Sequence, residues 1–187
     1  MAFFKSLGND SGVRDILSMN RAAGEALIKF HESVLRQDSE LSAGEREMIA
    51  AYVSGLNDCQ YCYGVHSVTA QAFGLAEAGF EKLLTDLDQA PVDETLKPIL
   101  KFVRKLTLTP ARMVQADADA VFAAGWSEQA LNDAIFVACL FNFMNRLLEG
   151  HGVHGYAELY QQRGRALRDQ GYSPLLAYLE IKSERKS

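Results

Sequence analysis

Long hydrophobic runs are missing from this chain. The longest unbroken apolar stretch, Ala134 to Phe141, has eight residues, far short of the roughly 20 a membrane-spanning helix needs. The opening segment, Met1 to Asp10, offers only Ala2-Phe3-Phe4 before Lys5, too little for the apolar core of a signal peptide. A soluble, cytoplasmic protein with no membrane partner is the expectation. Positive charge is also short: 19 Lys and Arg stand against 24 Asp and Glu, for a net charge of -5, and the only basic cluster is the tail Lys182 to Lys186. A nucleic-acid partner is therefore not expected. Cysteine is scarce and odd in number, three in all, with two at x-x spacing. That pattern excludes a secreted disulfide scaffold; in a reducing compartment a close pair reads as catalytic or metal-binding. Asn-Gly and Asp-Gly are absent, and with them the strongest hairpin signals.

What remains is an ordinary globular balance, 48% hydrophobic and 23% charged over 187 residues. That is enough apolar material for a sizeable core, and it fits one all-helical domain over residues 1–187. Almost every segment reads as helix. Met19 to Arg36 carries Ala23, Leu27, Phe30 and Val34 as an amphipathic stripe. Ser42-Ala43-Gly44-Glu45 is a capping box that starts a helix running to about Ser54. Gly55-Leu56-Asn57-Asp58 breaks it, with Asp58 as N-cap of a second helix that Gly74 ends. Shorter helices are expected over Glu77 to Leu87, after Asp93 with Pro98 in the first turn, and over Gln115 to Ala124. Ser127 caps a long apolar helix to Leu148, followed by Tyr156 to Asp169 and Pro174 to Ser183. An offset of 85 residues aligns Ser42 with Ser127, Asn57 with Asn142 and His66 with His151, so two related helical halves are an open reading. Ile135 to Leu148 presents more apolar surface than one small subunit covers, so a homo-oligomer is expected.

The chemistry concentrates after Asp58. At 100° per residue, Cys59 and Cys62 lie about 60° apart on one helix face, and His66 follows one turn beyond Cys62. The first turn exposes free N–H groups and the positive end of the helix dipole, which favour a thiolate. A thiolate is the species that attacks an O–O or S–S bond. A sulfenic acid on one sulfur can condense with the other. Glu47 lies twelve residues before Cys59, among Met48, Ile49, Ala50 and Ala51. So buried a carboxylate needs a partner, and the preceding helix can fold back to bring it to His66. The same residues leave a second chemistry open. Cys59, Cys62 and His66 are three potential zinc ligands, with Glu47, His151 or His154 as a fourth. Cys139 reads as a core hydrophobe and His31 as structural. Phe136, Phe141, Phe143 and Met144 read as core or subunit interface, and Asn142, Asn145 and Arg146 as bonding across helices.

The pattern Glu47-x11-Cys59-x2-Cys62-x3-His66 resembles the signature of the alkyl hydroperoxidase D family, a branch of the carboxymuconolactone decarboxylase superfamily. Ser67 to Gly74 resembles that family's continuation, and Phe141 to Leu147 resembles a segment of its peroxidase-related members. The resemblance implies an all-α multi-helix bundle and a peroxiredoxin-type alkyl hydroperoxidase. It implies Cys62 as the peroxide-attacking sulfur, Cys59 as its resolving partner, and Glu47 with His66 as the proton relay. It implies a hydroperoxide substrate, an external thiol or dithiol protein as reductant, no prosthetic group and self-association. The family's characterised member also has a histidine just before the second cysteine. Here Tyr61 stands there, a phenol that donates a hydrogen bond but is a poor base near pH 7.

Overall fold

The computed structural model describes residues 2–8 and 11–184; the last two residues of the basic cluster, Arg185 and Lys186, lie outside them. Among the described residues there are ten α-helices, two short 3-10 turns and no strand. In chain order they are α1 Val13–Met19, α2 Arg21–Arg36, α3 Ala43–Leu56, α4 Gln60–Ala72 and α5 Ala78–Thr85. There follow α6 Lys97–Leu108, α7 Gln115–Ala123, α8 Glu128–Glu149, α9 Ala157–Gln170 and α10 Pro174–Glu184. The all-helical class read from the sequence is what the chain adopts.

The predicted caps decide several ends. Ser42 Oγ accepts from Glu45 N at 3.2 Å, while Glu45 Oε2 accepts from Ser42 N at 2.7 Å, the reciprocal box that starts α3. Ser127 Oγ accepts from Ala130 N at the start of α8. Gly74, at φ 101°, takes the left-handed conformation that ends α4. Two caps fall elsewhere. Asp58 is not an N-cap: it sits at φ 54° inside the reversal between α3 and α4, and Cys59 is the N-cap residue. Three residues must turn the chain back on itself, and aspartate tolerates the left-handed region that this requires. Asp93 does not cap α6 directly: it closes a turn onto Thr95 N, one turn before α6 begins at Lys97.

α3 is the central strut, buried along most of its length from Gly44 to Ser54 and packed against α2, α4, α5, α6 and α8. Helices α4 and α9 close over it through glycine: a Cβ on Gly164 would meet Val68 Cγ1 at 2.6 Å and the Thr69 backbone N at 3.0 Å. The stripe predicted for α2 is one residue out of register. Gly24, Ile28, His31 and Leu35 face the core, while Ala23 and Phe30 are exposed. The cause is α1, which the sequence pattern missed. Gly24 lets the α1 end so close that a Cβ there would sit 2.4 Å from the Leu17 carbonyl oxygen, and this contact sets the rotation of α2. Cys139 is likewise not a core residue. It is exposed on the outer face of α8, between the exposed Phe136 and Phe143. Length and composition alone would let α8 cross a bilayer, but half of its apolar window is buried inside the protein. Asn57 and Asn142, the pair aligned at an offset of 85, donate and accept one hydrogen bond at 3.2 Å between α3 and α8. The two stretches then diverge, since α3 stops at Leu56 and α8 runs on to Glu149.

Candidate active site

Helix α4 carries Cys62, Val65 and His66 along one wall of a partly open cavity of about 90 Å3. Other walls come from Leu17 of α1, Ile28 and His31 of α2, Phe141, Met144 and Leu148 of α8, Leu167 of α9 and the stretch around Tyr172. Cys59 does not line this space; it is fully buried behind α4, its N–H donating to the Ser54 carbonyl at 2.9 Å. The two sulfurs are therefore unequal in access. Of the two, Cys62 is the one that lines the cavity.

Glu47 and His66 are in contact. The Glu47 carboxylate is fully buried, and its Oε2 lies 2.6 Å from His66 Nδ1. Its other oxygen accepts from Arg36 Nη2 at 2.6 Å and from the Tyr172 hydroxyl at 3.0 Å. Burial opposes the charge, but His66 and Arg36 outweigh it and hold the carboxyl below its ordinary value. An ionised carboxylate can only accept, so His66 carries a proton on Nδ1 and turns Nε2 away from Glu47. The ring edge packs on Phe141, with centroids 4.4 Å apart, which fixes its plane.

Arg36 is itself built in. It donates to the Leu167 carbonyl at 3.0 Å and to the Leu35 carbonyl at 2.9 Å. Its guanidinium lies over the rings of Tyr172 and Phe73, at 5.0 and 5.3 Å. Tyr172 stays a phenol, because burial and the Glu47 charge push its pKa well above the ordinary value. Glu47 is thus the hub of a buried network in which every partner donates to it.

The cysteines titrate as a pair. Hydrogen bonding from the Cys62 thiol, with help from the Cys62 backbone N–H, outweighs burial and the neighbouring Glu149 and lowers the Cys59 pKa. The same hydrogen bond to Cys59, together with burial and the Cys59 charge, raises Cys62 well above the ordinary thiol value. The first negative charge of the reduced pair therefore rests on Cys59, at the helix N-terminus, with the Cys62 proton pointing at it. Asn145 opposes the rise at Cys62. Its amide also donates to Ser54 Oγ at 2.9 Å and accepts from Asn57 at 3.0 Å, so its position is set by α3.

Several of these residues were not legible as site residues in the sequence. Arg36 and Tyr172 are among them, and so are Arg14 and Arg163, which line the cavity. His31, expected to be structural, lines it too. Its Nδ1 donates to the Leu27 carbonyl at 2.7 Å, and burial pulls its pKa down to about 4. Tyr61 also lines the cavity, with its phenol pushed up by burial. His151 and His154 do not line it: His151 stacks on Phe4 and bonds the Leu147 carbonyl, and His154 is exposed. Among the described residues, no three His, Cys, Asp or Glu side chains gather as a metal-binding group.

Residues 21–88 match the sequence model of the Carboxymuconolactone decarboxylase family. That segment contains Glu47, Cys59, Cys62 and His66. No curated relative matches the chain. Among solved structures, an uncharacterized peroxidase-related protein from Silicibacter sp. TM1040 is 27% identical, with a TM-score of 0.74 over 82% of this chain and 80% of that one. A second, described as the alkylhydroperoxidase AhpD core of an uncharacterized peroxidase-related protein from Ralstonia eutropha JMP134, is 22% identical. It has a TM-score of 0.73 over 80% of this chain and 78% of that one.

Proposed function

We propose a thiol-dependent hydroperoxidase, from the premise that the chain is alkylhydroperoxidase D-like and of the carboxymuconolactone decarboxylase superfamily. The observation that carries this reading is the placement of Cys62 and His66 on one cavity wall, with Cys59 directly behind and Glu47 bonded to His66. The Cys62 proton passes to Cys59 as a hydroperoxide enters, leaving the cavity-facing sulfur as thiolate. That sulfur attacks the terminal peroxide oxygen and the O–O bond breaks. Cys62 becomes a sulfenic acid, and the alcohol leaves with the Nε2 proton of doubly protonated His66, which regains one from solvent. Cys59 then attacks the Cys62 sulfur, water leaves, and a disulfide closes. Two electrons have moved from the dithiol to the peroxide, and an external thiol or dithiol protein must return them. Glu47 holds the His66 ring and stabilises its charged form during the transfer.

No prosthetic group enters this cycle. The exposed Phe136, Cys139 and Phe143 row on α8, beside Phe30 of α2, supports self-association. A second reading, a thiol–disulfide reductase, is favoured by Tyr61, since a phenol held high by burial cannot serve as a base between the cysteines. The test is thiol-dependent consumption of an organic hydroperoxide, run beside reduction of a protein disulfide. Peroxide turnover abolished by Cys62→Ser is the expected result. Full turnover in that variant, or activity on disulfides alone, overturns the peroxidase reading.

A further inference from the structure

The cavity wall holds two guanidiniums, Arg14 of α1 and Arg163 of α9, and no aspartate or glutamate. Three acids lie behind or beside the wall: Glu47 is already shared among Arg36, His66 and Tyr172, Asp15 follows Arg14 in α1 and accepts from Gly12 N, and Glu149 acts on the cysteine pair. Among the described residues, neither Arg14 nor Arg163 is in an ion pair, and each has a buried Nε with no hydrogen-bond partner. Arg14 lies over the Tyr178 ring at 5.2 Å, which shields one face but supplies no full countercharge. Burial and the charge of Arg163 disfavour the charged form of Arg14 and outweigh the opposing pull of Tyr178, Tyr61 and Asp15. Two like charges beside an apolar space are costly unless an anion completes them. The remaining wall, including Leu17, Ile28, Val65, Met144 and Leu175, is apolar. A guanidinium takes a carboxylate in a two-bonded fork that a water cannot match.

We propose that this cavity takes an organic hydroperoxide bearing a carboxylate, with the acid group on Arg163 and Arg14 and the peroxide at Cys62. The inference rests on the hydroperoxidase reading and names its substrate class. The carboxylate is a spectator: it is neither oxidised nor released, and it sets which end of the molecule meets the sulfur. The cavity is small, about 90 Å3, so the stem between the two groups is short.

The experiment has a kinetic arm and a binding arm. Hydroperoxyhexanoate and its methyl ester are compared as substrates of wild-type protein, Arg163→Gln, Arg163→Lys and Arg14→Gln. Hexanoate and hexanamide, which cannot react, are titrated calorimetrically into the reduced wild type and the same variants. The wild type is expected to favour the acid over the ester by about tenfold or more in kcat/KM, and to bind hexanoate but not hexanamide. Arg163→Gln brings both ratios towards one, and Arg163→Lys restores part of each. Equal use of acid and ester together with equal binding of acid and amide overturns the proposal, and so does a preference unchanged in both Gln variants. The wild-type comparison stands if a variant fails to fold. If neither peroxide is consumed while hexanoate binding still depends on Arg163, the anion site stands and the peroxidase reading fails.

Discussion

Replacing Glu47 by glutamine removes one charge and changes almost no volume, so its effect isolates the electrostatics of the hub. The wild-type carboxylate accepts from Arg36 at 2.6 Å, His66 at 2.6 Å and Tyr172 at 3.0 Å, at zero exposure. Glutamine accepts through one oxygen only, and its NH2 group points donors at a guanidinium or an imidazole N–H. Arg36, with a side chain only 13% exposed, is left as a buried cation without its bonded counterion, with only the more distant Glu32 to offset it. Breaking one side of such a pair costs about 3–5 kcal/mol. Urea unfolding of Glu47→Gln is expected to show a loss in that range. Arg36→Met combined with Glu47→Gln is expected to lose at least about 1 kcal/mol less than the sum of the single variants, since no charge is then orphaned. The pH dependence follows from the lowered Glu47 pKa. The unfolded carboxyl takes up its proton first as pH falls. The network's contribution is therefore complete above the ordinary value and drains away as pH falls through the folded value. Glu47→Gln lacks that acid-side slope. A variant within about 0.5 kcal/mol of wild type, with the slope intact, would refute the hub argument.

His31 acts at higher pH. Its pKa falls from 6.5 to about 4 on folding, so the unfolded chain protonates first and about 3 kcal/mol of stability is lost between those two values. His31→Gln is expected to flatten the fall in Tm across that window, and an identical fall would contradict the assignment. Gly164→Ala should destabilise by about 1–3 kcal/mol, because the new Cβ meets Val68 and the Thr69 backbone, which cannot swing aside; a neutral result by thermal unfolding would mean α4 and α9 are loosely packed. A thiol titration of the reduced wild type followed at both cysteines is expected to show Cys59 ionising first and below its ordinary value; Cys62 ionising first would reverse the order of the pair.

The sequence carried the site as far as local geometry allows. Glu47, Cys59, Cys62 and His66 lie within twenty residues, on two adjacent helices joined by one tight reversal. Capping and helical spacing alone therefore bring them within reach of each other. Arg36 and Tyr172 could not be read this way. Arg36 looked like an ordinary cation in the last turn of an amphipathic helix, and Tyr172 follows Gly171, whose φ of 68° turns the chain back towards α3. Arg14 and Arg163 reach the cavity from α1 and α9, 149 residues apart. The register of α2 failed for the same reason, since Gly24 against Leu17 decides it and α1 carried too short a pattern to be seen. Cys139 shows the limit of apolar runs: eight consecutive apolar residues on α8 must span both faces of the helix, and one of those faces is outside.

The central claim is that Cys62 is the sulfur that meets peroxide and Cys59 the one that resolves it. Reduced Cys59→Ser, given one equivalent of an organic hydroperoxide, should accumulate a sulfenic acid on Cys62, trapped by a carbon nucleophile and located by peptide mass spectrometry, with one alcohol formed per sulfur oxidised. No oxidation of Cys62 in that variant, or equally fast oxidation of Cys59 in Cys62→Ser, would contradict the account.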